Sequence, residues 1–198
     1  MYIFLFGARV WVSFTTALEF NITSVRKWCK KDYDLKNENE INFNLFLGLE
    51  ILTYLSNEEN DPLTRCNSND QKANLLFTES YSKSRFGMNS PDDIDLILSE
   101  QNVTINFHNW CLTPENFTKL ETLKDFWSVL STNYDENDVQ FISMMEAKHY
   151  PFWAVQYHPE KNMFEWTEKY PNIPHTQDAI HVAAFHSEFF VEVKFIIF

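Results

Sequence analysis

Residues 150–161 constrain the fold of this chain more than any other stretch. Residues 152–157 form a run rich in aromatic and β-branched side chains without Gly or Pro, which predicts a buried strand. His158, Pro159 and Glu160 follow directly, and Pro159 biases His158 toward an extended backbone. Because ligands bind at the carboxyl ends of strands in open α/β sheets, this position favours a functional His158.

A chemical role follows for the two polar residues after the strand. Glu160 could orient one ring nitrogen of His158 and leave the other to act as a general base. Taken alone, the His-Pro-Glu sequence also fits a histidine with a structural role.

Composition limits the classes of protein to which the chain can belong. Its 198 residues fit a single domain with enough apolar content for a core. The net charge of −12 excludes binding to a phosphate backbone through a basic surface. Three glycines beside nineteen phenylalanines are unusual, since doubly wound enzymes use glycine at the tight turns that line their sites.

The cysteines and sequons carry little information by themselves. Cys29, Cys66 and Cys111 have no C-x-x-C spacing and cannot all pair, so neither a zinc site nor a disulfide framework is predicted. Three Asn-x-Ser/Thr sequons occur, about as many as chance provides in a chain this rich in Asn, Ser and Thr. They begin at Asn21, Asn102 and Asn116. No stretch approaches the length of a membrane span, and we expect no metal and no cofactor.

Several motifs in consistent order resemble one family. Residues 155–161, Val-Gln-Tyr-His-Pro-Glu-Lys, resemble the histidine-bearing strand of the γ-glutamyl hydrolases, which belong to the class I glutamine amidotransferase-like superfamily. Four further segments agree: Asn-Phe-His-Asn-Trp at 106–110, Glu-Asn-Phe-Thr at 115–118, Phe-Ile-Ser-Met-Met-Glu at 141–146 and Ala-Ala-Phe-His-Ser-Glu-Phe-Phe at 183–190. The match is close from residue 101 to residue 190.

The resemblance implies a fold. It is a three-layer α/β domain with a mostly parallel, doubly wound sheet, spanning residues 1–198 as a single, partial domain. The family has two βα units before the segment that resembles residues 2–7, so we expect the first βα units, about sixty residues, to be missing. Such a sheet would expose an edge, from which we expect low solubility or domain swapping.

The resemblance also implies roles for individual residues. The family's nucleophilic cysteine lies on a Gly-x-Cys-x-Gly elbow, which aligns with residues 44–48, so Phe46 takes the nucleophile position. The backbone N–H groups of Leu47 and Gly7 would then form the oxyanion hole. His108 would lie near the bound glutamate, although a histidine simply packed on Trp110 fits equally well.

The expected function follows from Phe46. The family hydrolyses γ-glutamyl bonds of folylpoly-γ-glutamates, and phenylalanine has no nucleophilic atom. We therefore expect a catalytically inactive member, with two alternatives: an active hydrolase, or a non-catalytic folate-polyglutamate-binding protein.

The resemblance extends to partners and compartment. It implies folylpoly-γ-glutamate as ligand if the pocket is intact, and a homodimer or a dimer with an active paralogue; neither nucleic acid nor membrane is expected as a partner. The family resides in secreted, lysosomal or vacuolar compartments and suggests glycosylation at Asn116. Residues 1–6 are apolar but lack a basic n-region, and Arg9 interrupts any h-region that would follow, so they do not predict a signal peptide.

Hydrophobic patterning predicts the main elements. Helices are expected at 14–31, 48–55, 116–130 and 177–195; strands at 2–6, 41–46, 103–107, 140–145 and 152–156, with the last two paired; residues 57–90 should form a loop with one short strand.

Overall fold

The computed structural model describes residues 3–4, 10–12, 48–58, 60–149 and 152–196. The strands in these ranges are β1 Ile3–Phe4, β2 Val10–Val12, β3 Thr64–Ala73, β4 Leu76–Phe77, β5 Thr104–Cys111, β6 Trp127–Tyr134, β7 Gln140–Ala147 and β8 Phe152–Val155. The α-helices are α1 Gly48–Ser56, α2 Arg85–Asn89, α3 Asp92–Glu100, α4 Pro114–Lys119, α5 Glu121–Phe126, α6 Lys161–Phe164 and α7 Gln177–Ile196.

The strands form two sheets. The larger has six strands in the order β1-β2-β8-β7-β6-β4, and β3 and β5 form the smaller. Across the described ranges every strand pair is antiparallel. The mixed α/β class agrees with the sequence, but the mostly parallel sheet predicted there is not seen in this part of the chain.

A short connection explains the antiparallel pairing of β6 with β7. β6 and β7 are joined by a tight turn in which the Asp135 N–H donates to the Val139 carbonyl at 3.0 Å. Asp138 in this turn has a φ of 61°, a left-handed conformation that Asp tolerates better than most residues. Antiparallel strands can be joined so closely, whereas parallel neighbours need a long crossover.

Helices cover both faces of the six-stranded sheet. Trp153 and Val155 of β8 pack in one core with residues of α3 and α7. Phe152 and Ala154 point to the opposite face and pack with residues of α1, α4 and α5. Because side chains alternate along a strand, β8 contributes to both cores. Its carboxyl end therefore lies between the two helical layers.

Two predicted elements were wrong. Residues 116–130 are not one helix: α4 and α5 are short, and the chain then enters β6. This strand contains Ser128, Val129, Ser131 and Thr132, which are poor helix formers, and it pairs with β7 along its whole length. In residues 57–90 the expected short strand is present as β4, but the rest is not a loop: the ten-residue strand β3 forms there and pairs with β5, although its polar sequence gives no alternating pattern.

Other predicted elements are present. The helix at 48–55 is α1, the terminal helix is α7, and β7 pairs with β8 as expected. The predicted elements at 14–31 and 41–46 lie outside the described residues. Among the helices that the structure does describe, none combines the length and apolarity needed to cross a membrane.

Candidate functional site

His158 lies three residues beyond β8 and is fixed through its backbone and its ring. Its N–H donates to the Ile105 carbonyl of β5 at 2.9 Å, which attaches the segment after β8 to the smaller sheet. The side chain is buried, and its ring meets Phe107 edge-on. Nδ1 lies 2.9 Å from Glu160 Oε1. The pairing suggested by the His-Pro-Glu spacing is therefore present, and it fixes the ring so that the opposite nitrogen, Nε2, points away from Glu160.

His108 lies on β5, close enough to His158 for the two rings to interact electrostatically. Its Nδ1 is 3.4 Å from Cys66 Sγ of β3, and its ring packs edge-on against Phe141. Burial, followed by repulsion from His158, lowers the pKa of His108 to about 3. The ring is thus neutral at physiological pH. Within the described residues its Nε2 has no hydrogen-bond partner although it is buried.

Glu50 belongs to this site although the sequence analysis did not single it out. It lies in the first turn of α1, is only 5% exposed, and accepts a hydrogen bond of 3.2 Å from Gln156 Nε2. Gln156 comes two residues before His158, so this contact joins the start of α1 to the histidine segment. The signal was present: Glu50 is the single charged residue in the apolar sequence of α1.

Three predicted site residues cannot be placed. Phe46, Leu47 and Gly7 lie outside the described residues, so the structure neither supports nor contradicts their roles. α1 begins at Gly48, two positions after Phe46 in the sequence.

The side chain of Asn116, the predicted glycosylation site, forms hydrogen bonds within the protein. Asn116 lies in α4, half-buried, and its side-chain amide donates to the Pro62 carbonyl at 2.8 Å and to Thr64 Oγ1 at 2.9 Å. By contrast, Asn102 is exposed in the connection between α3 and β5. The structure therefore makes Asn102 the more accessible of these two sequons.

The arrangement can move a proton but contains no activated thiol in the described part of the chain. Glu160 and His158 form a carboxylate–imidazole pair of the kind that serves a nucleophile. The nearby Cys66 is a poor nucleophile, because a hydrogen bond with the Cys111 thiol and burial raise its pKa far above the ordinary value. Nor do the described residues contain three His, Cys, Asp or Glu side chains grouped to hold a metal ion.

Comparison with known proteins identifies similar chains in animals and in an amoeba. Gamma-glutamyl hydrolase of Rattus norvegicus is 41% identical over 145 residues, which cover 73% of this chain and 45% of that protein. Gamma-glutamyl hydrolase of Homo sapiens has the same identity over the same length and coverage. Gamma-glutamyl hydrolase B of Dictyostelium discoideum is 34% identical over 184 residues, which cover 91% of this chain and 52% of that protein.

The matched region covers only part of each of these relatives. The chain spans about half the length of the curated relatives it matches. No family model matches the chain.

Proposed function

The chain belongs to the γ-glutamyl hydrolase family, and on that premise we propose that it keeps the family's proton-transfer pair without its nucleophile. The observation that carries the proposal is the part-buried contact of 2.9 Å between His158 Nδ1 and Glu160 Oε1. The family activity would be hydrolysis of γ-glutamyl bonds in folylpoly-γ-glutamates. With Phe46 at the aligned nucleophile position, this chain is catalytically inactive.

The proposed defect is specific to one step. In a thiol hydrolase the imidazole takes the thiol proton, the thiolate attacks the γ-amide carbonyl, and the imidazolium protonates the leaving amine. His158 can perform both proton transfers, with Glu160 stabilising the charged ring. Phe46 supplies no atom for the attack. Loss of the nucleophile from such a unit costs on the order of a million-fold in rate.

Hydrolysis of a γ-linked polyglutamate tests the proposal. We expect no turnover by the wild type and a gain of activity in Phe46→Cys that is abolished by a thiol-alkylating reagent. Adding His158→Ala to Phe46→Cys should remove that gain, because the thiol then has no base. A parallel variant, Phe46→Ser, controls for relief of bulk at this position, since a hydroxyl is a far weaker nucleophile than a thiol.

Two results would contradict the proposal. Turnover by the wild type that disappears in His158→Ala would mean that another group replaces the nucleophile. A Phe46→Cys protein that folds but stays inactive would mean that the defect extends beyond residue 46. The variants Cys66→Ala and Cys111→Ala, made in the wild type, would identify any contribution from the buried thiols.

A second candidate function is binding without catalysis. Three buried polar atoms, His108 Nε2, Gln156 Oε1 and Asn106 Oδ1, have no hydrogen-bond partner among the described residues. Unpaired buried polar atoms are costly, and a polar ligand such as a polyglutamate chain would satisfy them. Calorimetry with pentaglutamyl folate tests this function. Absence of heat at high micromolar ligand would exclude it, and His108→Phe should weaken any binding that is seen.

The remaining features of the family are proposals as well. We place the chain in the class I glutamine amidotransferase-like superfamily, with helices covering both faces of the central sheet as that architecture requires. Secretory or lysosomal residence is proposed from the family. Expression in a secreting host, followed by enzymatic deglycosylation and mass analysis of the Asn102 and Asn116 peptides, tests it.

A further inference from the structure

Two cysteines of the smaller sheet share one buried face. β3 and β5 pair Thr64 with Cys111 in register, and directly paired residues point to the same side of a sheet. Cys66 follows two residues after Thr64 and therefore points to that side too. Both cysteines are free and buried. They pack with Phe141 in one cluster.

The thiols are in contact with each other and with His108. Cys66 Sγ lies 3.4 Å from His108 Nδ1, and it is close enough to the Cys111 thiol for a hydrogen bond between them. Cys66 thus lies between the second thiol and the imidazole. The sequence gives no sign of this contact, because 45 positions separate Cys66 and Cys111 along the chain.

Strand geometry allows a covalent bond at this position. Diagonal neighbours across two antiparallel strands have Cα atoms about 7–8 Å apart, slightly beyond the usual disulfide range of about 4.4–6.8 Å. The register of β3 against β5 shifts between Arg65 and Ser68, directly at Cys66. Such an irregularity bends and twists the strand locally. The two Cα atoms must therefore move slightly closer at the point where the hydrogen bonds between the strands constrain the backbone least.

We propose that Cys66 and Cys111 form a disulfide under oxidising conditions. The oxidant is a low-molecular-weight disulfide such as glutathione disulfide. One protein thiolate attacks it, releasing one glutathione and leaving a mixed disulfide. The second protein thiol, after losing its proton, attacks the mixed disulfide and releases the second glutathione. Two S–H bonds of the protein are replaced by one S–S bond, and the oxidant is reduced to two thiols.

Formation of the bond changes the surroundings of His108. The Cys66 sulfur that contacts His108 Nδ1 in the reduced protein becomes part of the disulfide and loses its proton. The imidazole then has no thiol donor at that nitrogen. Oxidation of the pair is thereby coupled to the candidate site.

Burial determines when the bond forms. Cys111 is fully buried and Cys66 is 5% exposed, so neither sulfur is open to an oxidant in the folded state. Oxidation therefore proceeds during folding, or during slow opening of the smaller sheet, before both thiols are enclosed.

The test is refolding of a Cys29→Ala protein in a mixture of reduced and oxidised glutathione, followed by intact mass analysis. Removing Cys29 leaves Cys66 and Cys111 as the remaining cysteines. We expect a mass lower by two hydrogens, no glutathione adduct and no reaction with maleimide after denaturation. Because the disulfide closes the loop between Cys66 and Cys111, it should raise the melting temperature by on the order of 10 °C relative to the reduced protein.

Single variants provide the matched control. Cys66→Ser and Cys111→Ser in the Cys29→Ala background should each keep one thiol, reacting with maleimide or carrying one glutathione. Recovery of the parent protein with two reactive thiols, or with two glutathione adducts, would overturn the proposal. The parent result decides the matter even if a serine variant does not fold. Because neither thiol is assigned to catalysis, the outcome is independent of any γ-glutamyl hydrolase activity.

Discussion

At the scale of single residues, Glu146 connects the helical layer to the sheet. This carboxylate of β7 is buried and accepts hydrogen bonds from Arg85 Nε at 2.7 Å, Trp153 Nε1 at 2.8 Å and the Phe86 N–H at 3.2 Å. The guanidinium of Arg85 also lies over the Trp153 ring. One charged group thereby satisfies donors from both α2 and β8.

We expect Glu146→Gln to lower the free energy of unfolding by about 3 kcal/mol, because it removes a charge and an acceptor from a buried network. Urea unfolding measures the loss. Glu115→Gln is the matched control: Glu115 forms a fully exposed pair with Lys119, and solvent screens such pairs, so no change is expected. Equal effects of the two substitutions would contradict the proposed importance of the Glu146 network.

At the scale of elements, the junction between the 3-10 turn Tyr81–Lys83 and α2 depends on a glycine. Ser84 caps α2, and its Oγ accepts from the Gly87 N–H at 2.9 Å. This cap draws the helix against the preceding turn so closely that a Cβ on Gly87 would lie 2.2 Å from the Tyr81 carbonyl oxygen. The neighbour is backbone, so it cannot rotate away.

Gly87→Ala should therefore destabilise the protein by about 2 kcal/mol, although alanine is the better helix former. Thermal or urea unfolding gives the value. Met88→Ala, at an adjacent and largely exposed position, should change stability by less than about 0.5 kcal/mol. A Gly87→Ala protein as stable as the wild type would show that the turn and the helix can separate without cost.

At the scale of the whole molecule, buried neutral histidines make the fold sensitive to acid. Burial lowers the pKa of His186 to about 4, and that of His108 is lowered to about 3. His186 of α7 meets the Tyr157 hydroxyl at 2.8 Å, and His108 lies in the smaller sheet, so the two report on different layers.

Above about pH 6.5 we expect these two histidines not to change the free energy of unfolding. As the pH is lowered toward their folded-state pKa values, we expect the free energy of unfolding to fall. The folded-state pKa values lie below the unfolded value, so in that window the unfolded chain binds protons first and its free energy is lowered relative to that of the folded protein. Each histidine contributes on the order of 3 kcal/mol of this loss at pH 4. Urea unfolding between pH 4 and 8 measures it.

Replacement of one buried histidine tests the assignment. His186→Gln should flatten the pH profile of stability, whereas His181→Gln, at an exposed position of the same helix, should leave it unchanged. Parallel profiles for His186→Gln and the wild type would contradict the role of His186.

Local patterns in the sequence predicted the elements whose partners are close along the chain. The apolar runs of β7 and β8 predicted their pairing, and the long apolar sequence of residues 177–195 predicted the terminal helix α7. The His158–Glu160 contact was predictable for the same reason: two residues and an intervening proline set it locally.

Tertiary structure alone decided the rest. The polar strand β3 forms because β5 pairs with it, and β6 is a strand because β7 is its neighbour. Contacts between Gln156 and Glu50 and between Cys66 and His108 join residues that are 106 and 42 positions apart. A single sequence specifies side-chain types but not the distances between separate segments, since these arise only when the two sheets and their helices pack together.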